Sequence, residues 1–315
     1  MSRSSFGPSR REFLQVSASA AAAFAGSTLA TPLVSLAQDK PAGAKVAVKA
    51  SDKKPGGNMA FGLVTYMWGA DWDLPTLIAN CVKTDVLGVE LRTTHKHGVE
   101  PNLNDAQREE VRKRFTDAGV TMVGIGSNER YDSPDSATVR KAIEATKEFI
   151  RLSHDVGGSG VKVKPDSFHK EVPREKTIEQ IGKSLNELGE YALGFGQQIR
   201  LEVHGQCAEL PTIKAILDVA THDNVYVCWN SNPQDLQGEG LEHNFKLVCD
   251  RFGETCHIHE LETTTYPWQQ LFNLLAKADY RGWLLLEAGS KPDDRVAALK
   301  QQRRLFQELL AKARG

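Results

Sequence analysis

Cysteine is sparse and unpatterned in this chain. The five cysteines, Cys81, Cys207, Cys228, Cys249 and Cys256, are odd in number and form no CxxC pair. That spacing excludes a zinc knuckle and a disulfide scaffold, and the thiols read as small buried hydrophobes. A charge excess is equally missing: Lys+Arg number 39 against Asp+Glu 40, for a formal net charge of −1. Without a basic field there is no general means of holding nucleic acid or an anionic membrane. No Gly-rich phosphate fingerprint follows the first strand candidate, which removes the main support for a doubly wound dinucleotide fold. What remains, 40% hydrophobic and 25% charged over 315 residues, suits one large globular α/β domain or two small ones.

A long apolar run is also lacking. Near the amino terminus Ser9-Arg10-Arg11-Glu12-Phe13-Leu14 precedes an Ala-rich stretch interrupted by Gly26, Thr28 and Pro32, and Ser35-Leu36-Ala37 follows it. The stretch is too short and too weakly apolar for a stable transmembrane helix. Its paired arginines and small-residue cleavage site resemble a twin-arginine export signal. The expected organisation is therefore a signal peptide over residues 1–37, a flexible linker over 38–58 and a folded domain over 59–315. Export of this kind implies a periplasmic or secreted protein that folds in a reducing compartment, in keeping with unpaired cysteines.

From Met59 onward the hydrophobic pattern alternates between short β-type runs and helical periods. Strand candidates begin at Ala60, Leu87, Thr121 and Gly160, and continue with Ile199–Gly205, the run around Val225, Thr255–Glu262 and Trp283–Gly289. Helices are expected between them, with Asp73 and Asn104 as N-caps and Gly119 as a stop. Eight strands and eight helices in strict alternation over roughly 255 residues predict a single-domain (β/α)8 TIM barrel.

The last four strands each end on a residue able to bind a metal or carry a proton: Glu202, Asn230, His259 and Glu287, at intervals of about 28 residues, the length of one strand-helix unit. In a barrel the carboxyl ends of the strands converge on one pocket. A strand period of two puts Glu202 with His204, His257 with His259, Lys162 with Lys164, and Glu90 with Arg92 on common faces. Glu202, His259 and Glu287 would then form a hard site suited to Mn²⁺, Mg²⁺, Co²⁺ or Zn²⁺. His204 and His257 read as ligand supports or substrate contacts. Lys162 and Lys164 either pair with inward carboxylates or meet a substrate oxygen. Tyr66, Trp68, Trp72, Trp229, Tyr266 and Trp268, near strand ends, are candidates to stack on a bound ligand.

The segments Leu201-Glu202-Val203-His204-Gly205, His257-Ile258-His259-Glu260-Leu261-Glu262 and Leu286-Glu287, with Gly88-Val89-Glu90-Leu91, resemble the xylose isomerase-like barrel superfamily over about Phe61 to Leu310. The resemblance implies one divalent metal, Mn²⁺ first, held by Glu202, Asn230, His259 and Glu287. It makes Glu202 and Glu287 the catalytic acid and base; His204, His257, Lys162, Lys164, Glu90 and Trp68, near the same strand ends, are the expected substrate contacts. Asn230 departs from the pattern, since relatives usually place Asp there, and it leaves the ligand set one negative charge poorer.

Such a site would abstract a proton beside a metal-bound sugar carbonyl. Returning the proton to the other face gives epimerisation, and to the other carbon isomerisation. A leaving group β to the carbonyl, as in a 3-keto-glycoside, would make the same first step a lyase reaction. An exported enzyme would meet unphosphorylated sugars or glycosides, and a homo-oligomer would be compatible. The reading from another class is a secreted carbohydrate-binding barrel without catalysis.

Overall fold

The computed structural model describes residues 57–315, so the expected signal peptide and nearly all of the linker lie outside the described residues. Eight strands alternate with eight helices: β1 (Ala60–Val64), α1 (Leu74–Thr84), β2 (Gly88–Arg92), α2 (Asp105–Asp117), β3 (Thr121–Arg130), α3 (Ser136–Asp155), β4 (Gly160–Lys164), α4 (Arg174–Leu193), β5 (Gln198–Glu202), α5 (Leu210–Val219), β6 (Val225–Cys228), α6 (Leu241–Val248), β7 (Thr255–Ile258), α7 (Trp268–Lys277), β8 (Trp283–Leu286) and α8 (Arg295–Ala313). The expected helix starts hold. Asp73 accepts the Thr76 amide at 2.9 Å, and Asn104 forms a reciprocal capping box with Gln107. α6 ends at Val248 and is followed at once by a 3₁₀ segment over Cys249–Arg251.

All strand pairs are parallel, in the order β6-β5-β4-β3-β2-β1-β8-β7. β6 and β7 close the ring through two single bridges, Val227 with Phe252 and Asn230 with His257, the second strengthened by the His257 amide donating to the Trp229 carbonyl at 2.7 Å. The outer faces of the strands and the inner faces of the helices form the main core, with Val161, Leu185, Leu201, Ile213 and Phe272 entirely buried. Inside the ring a small apolar plug of Val64, Val123 and Leu285, with Trp283 against it, fills one level of the barrel. A Cβ at Gly88 would lie 2.2 Å from the Trp283 ring, so that position must be glycine for the plug to fit.

Four of the five cysteines are buried and free, as their scatter predicts, and Cys249 is half-buried. Most of the proposed stacking aromatics belong to this packing instead. Trp229 is fully buried against Phe245 and Phe252, while Tyr266 and Trp268 pack on each other. Among the described residues no helix is long and apolar enough to cross a membrane.

Candidate active site at the carboxyl ends of the strands

The period of two does place the paired polar residues on common inward faces, and it also separates them into two levels. The deeper member of each pair, Glu90, Lys162, Glu202 and His257, is completely buried. The member two residues later, Arg92, Lys164, His204 and His259, is partly exposed at the rim. Two strand residues advance roughly 6.6 Å, enough to separate a sealed layer from the mouth.

In the sealed layer Lys162 Nζ donates to Glu202 Oε2 at 2.7 Å and to the Ser127 carbonyl at 3.4 Å. His257 lies between carboxylates, Nδ1 3.3 Å from Glu202 Oε1 and 3.5 Å from Glu287 Oε2, and Nε2 3.1 Å from Glu90 Oε1. Gly126 makes room for Glu90, since a Cβ there would sit 2.7 Å from Glu90 Oε1. The Asn230 amide nitrogen donates to Glu202 Oε1 at 3.1 Å and Glu287 Oε2 at 3.4 Å. Arg92 Nη1 approaches Glu287 Oε1 at 3.9 Å, its other branch bonding Asn128.

These contacts decide the protonation preferences. Burial opposes charge on Glu202, but the Lys162 ammonium and the His257 bond hold its pKa well below the usual carboxylate value. Glu287 is pushed up by burial and by Glu202, yet His257 and Lys162 leave it lowered. Burial would lower the pKa of His257, but Cys228, Glu90 and Glu202 hold it well above the ordinary histidine value. For Lys162 burial is likewise outweighed by Glu202, Glu287 and Glu90, and its pKa is raised.

Glu202, His257 and Glu287 each offer a ligand atom within 4.8 Å of the others, so a candidate cation site exists. Asn230 Oδ1 is buried and unpaired beside them, and reversing the amide would turn this oxygen towards a cation. Two carboxylates, an imidazole and an amide oxygen fit a hard or borderline divalent ion.

His259, expected among the ligands, is not in this group. It stands one residue past β7 on the upper level, where its Nδ1 donates to the Ser231 carbonyl at 3.0 Å and lies 2.8 Å from the Ser231 hydroxyl. The imidazole in that group is its deeper neighbour, His257. Glu90, Lys162 and His257, expected as substrate contacts, are sealed beneath the mouth and bonded to or beside the carboxylates. Trp68, expected as a substrate contact, is 2% exposed, and its indole donates to the Ser290 carbonyl at 2.9 Å. The exposed ring near the end of β1 is Tyr66, with the Arg92 guanidinium 5.3 Å from its centroid.

The rim holds groups that the strand ends alone did not reveal. Asp166, just past β4, accepts from His204 Nδ1 at 2.7 Å and is paired with Arg130. The His204 bond, joined by the Arg130 guanidinium, holds the Asp166 pKa down at about 2 against the upward push of burial. Lys164 Nζ is 3.3 Å from His204 Nε2, and burial together with the Lys162 charge lowers its pKa. Asp166 has φ 64°, and Thr94 and Met67, in the loops after β2 and β1, have φ 65° and 28°. Elsewhere, a cavity of about 680 Å³ over α3 and α4 is lined by Arg140 and Glu187, which pair with each other at 2.7 Å.

The ring of parallel strands alternating with helices defines a (β/α)8 barrel, and the carboxylate cluster lies at the carboxyl end of its strands. Residues 78–309 match the model of the xylose isomerase-like TIM barrel, and the chain belongs to that family. Similar solved structures include an L-ribulose 3-epimerase, with 18% identity and a TM-score of 0.69 over 81% of this chain and 95% of that one. A 3-keto-D-glucoside 4-epimerase from E. coli has 13% identity and a TM-score of 0.68 over 79% and 99%. The IolI protein with a bound zinc atom has 15% identity and a TM-score of 0.67 over 81% and 98%. No curated protein matches the chain.

Proposed function

We propose that the chain is a sugar epimerase or isomerase that moves a proton on the carbon beside a sugar carbonyl. The carrying observation is the convergence of Glu202 and Glu287 on one amide and one imidazole at the carboxyl end of the barrel. The sugar epimerases among the structures that share this fold support the reading.

The two carboxylates are unequal. Glu287 is 8% exposed, next to the rim, whereas Glu202 is fully enclosed and tied to Lys162. Glu287 is therefore assigned the proton transfer. Glu202 would hold the cation, reaching substrate only on breaking its present bonds. A divalent ion at Glu202, His257, Glu287 and the Asn230 oxygen, Mn²⁺ first among candidates, would supply Lewis-acid polarisation of the carbonyl. Around it, Arg92 beside Glu287 is placed to stabilise negative charge developing on a substrate oxygen. Lys164 and His204 face a substrate from the rim, and Tyr66 offers the stacking ring.

A second reading is favoured by the rim itself. With Nδ1 held by Asp166, His204 presents Nε2 to Lys164, a pair that could deliver a proton to a departing oxygen. On a 3-keto-glycoside, abstraction of the C2 proton would then expel the aglycone from C1. Export through the twin-arginine route would bring either substrate, unphosphorylated, to the enzyme. The test is incubation of the mature chain with Mn²⁺ and, separately, free ketoses and a 3-keto-glucoside. Interconversion of ketoses supports epimerase or isomerase, and aglycone release supports the lyase. Neither product, with sugar still bound, leaves a binding protein and overturns the proposal.

A further inference from the structure

Every oxygen of Glu202 already has a donor. Oε2 takes the Lys162 ammonium at 2.7 Å, and Oε1 takes the Asn230 amide at 3.1 Å and His257 Nδ1 at 3.3 Å. Lys162 and Glu202 are both 0% exposed, so no water relieves the pairing. Glu287 is likewise engaged by Asn230, His257 and Arg92. Three carboxyl side chains, Glu90, Glu202 and Glu287, thus face two fixed cations and an imidazole bonded to carboxylate oxygen on both nitrogens. A divalent ion entering this cluster must take Glu202 from Lys162, or share it with an ammonium a few ångströms away, and both are costly in a dry interior.

We propose that Lys162 is a built-in competitor for the cation site: its ammonium occupies Glu202 as an internal counter-cation, keeping divalent-ion affinity low and readily reversible. Asn230 adds no charge of its own to offset that competition. The ion would then be exchanged with its surroundings rather than permanently built in. This rests on the reading that the Glu202, His257 and Glu287 cluster takes a divalent cation.

The experiment is titration of Mn²⁺ alone into chelator-stripped mature chain, following free Mn²⁺ by electron paramagnetic resonance, with no substrate present. Lys162→Met should bind Mn²⁺ at least about tenfold more tightly than the parent, whereas Lys162→Arg, which keeps the charge, should gain nothing. If Lys162→Met does not fold, Lys162→Gln carries the same comparison, since it keeps an N–H donor for Glu202 without the charge. Affinity in the neutral variant that is equal to or weaker than the parent's, or absent from both, overturns the competition. Ketose turnover is not part of this readout. A parent that turns ketoses over while the neutral variant binds Mn²⁺ no better would sink the competition alone. Tighter binding by the variant with no turnover in the parent would instead sink the epimerase reading.

Discussion

Replacing Glu202 with Gln keeps the shape of the side chain and removes its charge, leaving the Lys162 ammonium enclosed without its 2.7 Å partner. Breaking one side of a buried pair costs about 3–5 kcal/mol. Glu90 and Glu287 share the same cavity and partly compensate, which places the expected loss near the lower end, about 3 kcal/mol. At about 2–4 °C per kcal/mol for a domain of this size, the melting temperature should fall by about 6–12 °C. Glu287→Gln is the comparison: its side chain is 10% exposed, with His257 at 3.5 Å and Arg92 at 3.9 Å but no ammonium sealed against it. There the loss should be smaller than for Glu202→Gln, about 1–2 kcal/mol. Adding Lys162→Met to Glu202→Gln should restore most of the stability, because the pair is then replaced rather than broken. Urea titration of the four chains measures all of this. A Glu202→Gln chain within about 1 kcal/mol of the parent, or no recovery in the double variant, would refute the burial argument.

The melting temperature should pass through a maximum between about pH 4.5 and 6.5. The lowered pKa of Glu202 gives stability that is full above 4.5 and lost as pH falls through the folded value, while the raised pKa of His257 gives stability that is full below 6.5 and lost as pH rises towards its folded value. Melting curves that climb steadily from mildly acidic to alkaline pH would contradict this. Asp166→Asn keeps a residue that tolerates φ 64° but weakens the hold on His204, so kcat/KM should drop about tenfold and its pH profile should shift, with the fold unchanged. Unaltered kinetics would make the Asp166 contact merely structural. Tyr66→Ala should raise KM by about fivefold, whereas Trp68→Phe should cost about 1 kcal/mol of stability through the lost Ser290 bond and leave KM alone. The opposite pattern would return Trp68 to the substrate.

Alternation of β-type and helical periods made the barrel readable, because each strand and helix buries one face and the caps at Asp73 and Asn104 are local chemistry. The inward faces were readable for the same reason, since a period of two fixes the side of a strand on which a residue stands. Depth was not. Nothing in His257-Ile258-His259 states that the first imidazole sits in a sealed layer and the second at the rim, as this depends on where β7 starts relative to β6 and β8. For the same reason the enclosure of Glu90 and Lys162 was not legible, nor was Asp166, which reaches His204 only through a turn after β4 with φ 64°. The burial of Trp68 was hidden because its partner, Ser290, is 222 residues away.

The central claim is that Glu287 moves a proton beside a sugar carbonyl, and solvent exchange tests it most directly. In D₂O with Mn²⁺, the parent chain should place deuterium on the carbon adjacent to the carbonyl of a free ketose or a 3-keto-glucoside, as read by NMR. Glu287→Gln should incorporate it at least about a hundredfold more slowly. Exchange at the parent rate in the Glu287→Gln chain, or no exchange by the parent on either class of sugar, would contradict the account.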